Sequence, residues 1–222
     1  ILVGDHRQLP HLLNEAVVKR LESTNEEDKD GDVPETDYVK HSMFRYLFNR
    51  LKKIEEADNI PRTVTLDSQF RMHPLLGNFV SKQFYSKKER FRSPLKSEEF
   101  EHSLSNCENQ CAVWLDVPSM KGKESQTSKK SRFRKAEAKS IAKQLNDWIK
   151  SEAGKKLTFG VISFYKAQVN TVYLELEKYE ITHRDSDGNW QINADYLMLD
   201  GDSSKEKLRI GTVDSFQGME FD

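Results

Sequence analysis

LRIGTVDSFQGMEFD, residues 208–222, opens as a short apolar run and then breaks into a loop carrying Asp214, Gln217, Gly218 and Glu220. The run reads as a strand over about 208–213 that enters the loop directly. Upstream, the apolar spacing predicts a helix over about 167–179, a strand over 158–163, and a helix over 134–151 whose inner face holds Ala138, Ile141, Ala142, Leu145 and Ile149. Helices and strands alternating at these lengths argue for an α/β fold, a parallel sheet covered by helices on both sides. Ligands of such sheets sit at the carboxyl edge of the strands, where this loop begins.

Toward the N-terminus the pattern gives a buried strand end at 1–4, a helix at 12–21, and an acidic loop containing Gly and Pro at 23–36. A helix follows at about 41–56, with Met43, Phe44, Leu47, Phe48, Leu51 and Ile54 on one stripe. Short strands are predicted at 64–66 and 112–117. A helix is predicted from Pro74 to about 85, proline being favoured in a first turn. Asp187-Gly188 marks a hairpin.

The chain of 222 residues carries 12 Phe, 7 Tyr and 3 Trp, an aromatic content that argues against disorder. Its formal net charge of −1 removes any global electrostatic case for nucleic acid and leaves the matter to local patches. One patch stands out: Lys121, Lys123, Lys129, Lys130, Arg132, Arg134 and Lys135, opposed only by Glu124. Such a run either faces phosphates or is a solvated surface. Cys107 and Cys111 are too few for a disulfide framework and lack the partners of a zinc site, so no metal site is expected and both read as reduced thiols of a cytoplasmic protein, a nuclear one remaining open. No apolar run reaches membrane-span length and no signal-peptide pattern is present, although a chain opening at Ile1 leaves upstream targeting open.

Two more strings complete a set with TVDSFQGMEFD at 212–222: VGDHRQLP at 3–10 and LDSQFRMHP at 66–74. In this order the three resemble motifs III, IV and V of the superfamily 1B helicases, the group that includes the nonsense-mediated-decay helicase. RKAEA at 134–138 and VISFYKAQ at 161–168 resemble two further family segments more loosely. The resemblance implies a RecA-like three-layer fold, with 1–59 as the tail of a first motor domain and 60–222 as most of a second. It also implies an ATP-dependent helicase or translocase acting on single-stranded DNA or RNA, 5′ to 3′, with ATP and Mg²⁺ as cofactors and the Mg²⁺ ligands outside this chain. No G-x-x-x-x-G-K-[ST] loop and no final arginine motif is present. The chain is therefore expected to be a piece of a larger engine, inactive by itself. A non-enzymatic strand-binding or scaffold module with vestigial motifs is the alternative, and an intact upstream phosphate loop would discriminate the two.

Phosphoryl transfer needs charge neutralised on the γ-phosphate and a water held in line. The resemblance assigns Arg71 to the γ-phosphate; the plain reading is a surface Arg paired with Asp67. Gln8 carries an amide that can donate to that phosphate and accept from a water, and Asp5 would orient its loop. Phe70 stands where the family commonly has Tyr; it keeps the face that stacks near a base, or it is a core residue. Glu220 would bind the ribose, and Gly218 would let backbone amides approach phosphate. Thr212, Asp214 and Gln217 would couple this loop to the strand, together with Ser163, Tyr165 and Lys166. Tyr165 reads equally as core packing. Pro10 is followed by His11 where the family often has a second proline, and Ser163-Phe164 replaces a usual Thr-Pro. His73 reads as a helix-start packing or hydrogen-bonding residue.

Overall fold

A computed structural model describes residues 3–5, 16 and 43–222. The chain packs as two compact units, one formed within Ile1–Gln69 and Gly77–Arg92, the other by Phe70–Leu76 and Ser93–Asp222. The predicted helix at 12–21 lies outside the described residues apart from Ala16.

In the first unit the stripe predicted at 41–56 becomes α1, Met43–Asp58. Phe44 and Phe48 stack one turn apart with ring centroids 6.2 Å apart. Phe44 also lies so close over Gly4 that a Cβ there would meet the ring at 2.8 Å. Glu55 accepts hydrogen bonds from the backbone N–H of Arg62 and Thr63 and from the Thr63 hydroxyl, so the chain leaving α1 turns back along it. Helix α2, Pro74–Phe84, starts on its proline as the sequence suggests. Its buried Ser81 donates to the Phe91 carbonyl at 2.9 Å and accepts from the Phe91 N–H at 3.0 Å, pinning the following loop.

The second unit holds the parallel sheet. A small ribbon of β1, Ser125–Gln126, and β2, Arg132–Phe133, leads into α3, Lys135–Ile149. Then come β3, Phe159–Ser163, and α4, Lys166–Glu177. A first hairpin pairs β4, Thr182–Arg184, with β5, Trp190–Ile192, and a second pairs β6, Met198–Leu199, with β7, Asp202–Glu206. The last strand, β8, Leu208–Thr212, returns to lie parallel to β3 in a register running from Phe159↔Leu208 to Ser163↔Thr212. Every residue from 164 to 207 thus belongs to the crossover that parallel pairing requires.

The helix periodicity is cashed in between these elements. Ala138, Ala142, Leu145 and Ile149 of α3 meet Val169, Val172 and Leu176 of α4, and both rows close over Leu208 and Ile210. On the other face of β3, a side chain at Gly160 would strike Phe216 at 2.8 Å and Phe221 at 3.3 Å, so the aromatic residues of the terminal loop occupy that space. The result is a mixed α/β fold, a parallel sheet flanked by helices, as a RecA-like domain has.

Two predicted strands are absent. Residues 64–66 form no ladder; the nearest pairing is a single parallel bridge between Ser68 and Arg92, and Val64 and Leu66 are 87% and 77% exposed. Residues 112–117 are likewise unpaired in backbone, with Trp114 90% exposed. Both stretches have the branched and aromatic residues that suit a pleated surface, but a strand exists only where a second backbone completes its hydrogen bonds. Among the described residues none does so for either.

Candidate functional site

The motif loop is anchored at its base. Gly211 of β8 is followed so closely by Ser215 that a Cβ there would fall 2.2 Å from the Ser215 hydroxyl, which donates to the Thr212 carbonyl at 2.6 Å. Arg209 donates to the Ser215 carbonyl and is ion-paired with Glu206. Asp222 accepts from both the N–H and the hydroxyl of Thr158 at 2.9 Å, tying the end of the loop to the start of β3. Between these ties the chain makes a tight turn over Val213–Phe216 and passes through Gly218 at φ +80°, a conformation that favours glycine.

At its tip the loop meets the other motif of this unit. Arg71 Nε donates to Glu220 Oε2 at 3.4 Å across 149 positions of sequence, with both side chains more than half exposed. Phe70, the neighbour of Arg71, is 62% exposed. The core alternative for Phe70 is thereby set aside, and Asp67 pairs with Arg92. His73 accepts from the Leu75 N–H and sits edge-on to Phe100, fixing the entry to α2. Asp5, in the first unit, accepts a hydrogen bond from the Tyr85 hydroxyl. Gln8 lies outside the described residues.

The residues expected on the strand side converge at the carboxyl edge. Ser163 and Thr212 are direct partners in the β3–β8 register. Asp214 and Gln217 are exposed in the turn that follows β8. Tyr165 is 43% exposed at the cap of α4, which removes the core reading, and Lys166 opens the helix.

The basic run divides. Arg134 is a clamp: its guanidinium donates to the carbonyls of Val117, Pro118 and Gly122 and pairs with Glu137. Its backbone N–H is taken by the side chain of Gln168, which is 8% exposed on α4. Arg132 pairs with Glu124. Lys121, Lys123, Lys129 and Lys130 stay exposed. Ser131 accepts the Ala167 N–H, so the turn bearing Lys129 and Lys130 stands beside Tyr165 and Lys166. The charge of this run is legible in the sequence; the clamp depends on carbonyls 12 to 17 positions away, which no local pattern announces.

Among the described residues no group of His, Cys, Asp and Glu is gathered to hold a metal, and no helix is long and apolar enough to cross a membrane. Cys107 is buried, which pushes its thiol above the ordinary value, and the adjacent Glu108 carboxylate adds to this. A family model described as an AAA domain matches residues 41–222. No curated protein matches the chain.

Proposed function

From the premise that the chain belongs to the AAA domain family, found in superfamily 1 helicases, we propose that it is the nucleotide- and strand-binding half of an ATP-dependent helicase or translocase moving 5′ to 3′ on a single strand. In this reading residues 1–59 end the first motor domain and 60–222 make most of the second. The observation that carries it is the Arg71–Glu220 pair, which joins two groups that separate motifs assign to one nucleotide.

The pair is a resting arrangement. An exposed ion pair is held by roughly 0–1 kcal/mol, so a triphosphate can take the guanidinium from the carboxylate without large cost. Arg71 then places its donors on the γ-phosphate, where charge grows during transfer, and Glu220 accepts from a ribose hydroxyl. Phe70 offers its ring to the base. ATP supplies the phosphoryl group and Mg²⁺ neutralises its charge when bound; the exposed guanidinium, ring and open Gly218 backbone suit that ligand.

The strand follows the carboxyl edge. Ser163 and Thr212 face the backbone, Tyr165 stacks on a base, and Lys166 with Lys129 and Lys130 neutralises phosphate. Only Val213 to Met219 separate Thr212 from Glu220, and the base of that loop is fixed, so a shift at Glu220 is felt at Asp214 and Gln217. The test is ATP hydrolysis by the full-length protein, with and without single-stranded DNA or RNA. Stimulation by one strand type that collapses in Arg71→Ala supports the motor and names its track. Strand binding without any hydrolysis would replace it with a scaffold.

A further inference from the structure

The first hairpin has no role in that reading, yet it encloses something. Between β4–β5 and α4 lies an open cavity of about 570 Å³. Its size falls within the roughly 300–1,000 Å³ of ligand pockets. Lys166, Asn170 and Thr171 of α4 line one side, and Arg184, Asn189 and Trp190 of the hairpin line the other. Among the described residues, the charged ones on its wall are Lys166 and Arg184, both cations. The hairpin carboxylate beside Arg184 in sequence, Asp185, is turned into its own loop: it accepts from the Gln191 side chain and from the N–H groups of Asn189 and Asp187, contacts that hold its carboxyl below the usual range. Asp187 is exposed in the same turn and does not line the cavity.

Arg184 is held in place. Its guanidinium lies 3.9 Å from the centre of the Trp190 ring and donates to the Gly188 carbonyl at 2.8 Å. Trp190 in turn stacks on Tyr173 of α4, with centroids 5.7 Å apart and planes 16° apart. Tyr173 donates to the Ile210 carbonyl in β8, so the stack is founded on the parallel sheet. A planar guanidinium ordered this way keeps donors for an anion that accepts two hydrogen bonds and loses little freedom on binding. The rings, meanwhile, are occupied with Tyr173, Trp190 and Arg184, and so do not form a platform for a nucleobase. The cavity offers charge and amides, chemistry for a backbone and not for a base.

Resting on the proposed strand path past Tyr165 and Lys166, we infer that this cavity is a phosphodiester subsite, in which Arg184 and Asn170, next to Lys166, hold one further phosphate of the single strand beyond the carboxyl edge. The hairpin thereby lengthens the track of this domain without adding sequence preference.

The experiment is binding of fluorescent oligo-dT, oligo-dA and oligo-U to the full-length protein, by anisotropy over a series of salt concentrations. Each phosphate neutralised on a single strand contributes about 0.7 to the slope of log affinity against log salt. Arg184→Gln is expected to lower that slope by about 0.7 and to weaken binding about fivefold at ~0.1 M salt, equally for oligo-dT and oligo-dA. Arg184→Lys keeps the charge and is expected to keep the slope. Lys143→Gln, on the exposed side of α3, is the control for net charge and leaves the slope alone. Asn170→Asp places a carboxylate in the cavity without touching the hairpin and weakens binding at least as much as Arg184→Gln. A slope that Arg184→Gln leaves unchanged, or that Lys143→Gln lowers equally, overturns the subsite while the motor stands. A wild-type protein that binds no strand overturns both.

Discussion

The loop after β8 is built in two ways along its length. Its base is crowded and multiply tied: Phe216 and Phe221 fill the space over Gly160, Ser215 packs on Gly211, and Asp222 takes two hydrogen bonds from Thr158. At its tip stands an exposed ion pair, Arg71–Glu220. The difference separates two jobs. A group that must change partners when a nucleotide arrives needs a weak resting contact, whereas the frame that carries the change to the strand side must not yield. Stability and turnover should therefore respond to opposite ends of the same loop.

The largest effect is expected at the tip. Arg71→Ala should lower strand-stimulated ATP turnover about 10³-fold or more, the cost of losing an arginine from a γ-phosphate. The stability read from urea denaturation should change far less than turnover does, the Arg71–Glu220 pair being exposed and contributing about 0–1 kcal/mol. Glu220→Ala should share the stability result and act on nucleotide affinity instead. If either variant unfolds the protein, the tip is part of the frame and the division fails.

At the base the pattern should invert. Gly160→Val puts methyl groups where Phe216 stands 2.8 Å from even a Cβ. Overpacking of this kind costs about 1–3 kcal/mol. Urea denaturation measures it, and turnover per folded molecule should fall far less than in Arg71→Ala. A midpoint equal to wild type would mean that Phe216 moves freely and that the base is as loose as the tip.

How much of this the chain announces depends on range. The helix read over 134–151 appears as Lys135–Ile149, and the strand read over 158–163 as Phe159–Ser163, because their apolar periods are local and the core they meet is apolar too. Residues 64–66 and 112–117 have the same strand-like composition and form none, since pairing is a property of the neighbour. Arg71 and Glu220 were legible as motif members; that they meet is a matter of tertiary structure. The hairpin was legible from Asp187-Gly188, and Gly188 does take a positive φ of 81°. Its Trp190 could not be tied to Tyr173 in advance, because that contact depends on how the hairpin docks against α4. Arg134 shows the opposite case: its charge is plain in the sequence, but its guanidinium serves the carbonyls of a loop.

A second carboxylate sharpens the contrast with the smallest effect. Glu55 resembles Glu220 in lying near the surface and near an arginine, yet its principal partners are the backbone N–H groups of Arg62 and Thr63 and the Thr63 hydroxyl, with Lys52 as a lesser one. Such donors favour the charged form, and they lower its pKa from 4.5 to about 2. Because the folded value lies below the unfolded one, the unfolded chain binds the proton first as pH falls. The stabilisation is thus complete above 4.5 and is lost as pH drops through about 2. Glu55→Gln keeps an acceptor oxygen but not the charge, so its urea midpoint should lie slightly below wild type at neutral pH and converge with it across that window. A gap that persists undiminished at the acid end would mean that shape, and not charge, holds the turn after α1. Glu55 would then be no firmer than the pair at the loop tip, and the distinction between carboxylates that stay and carboxylates that exchange would lose its clearest case.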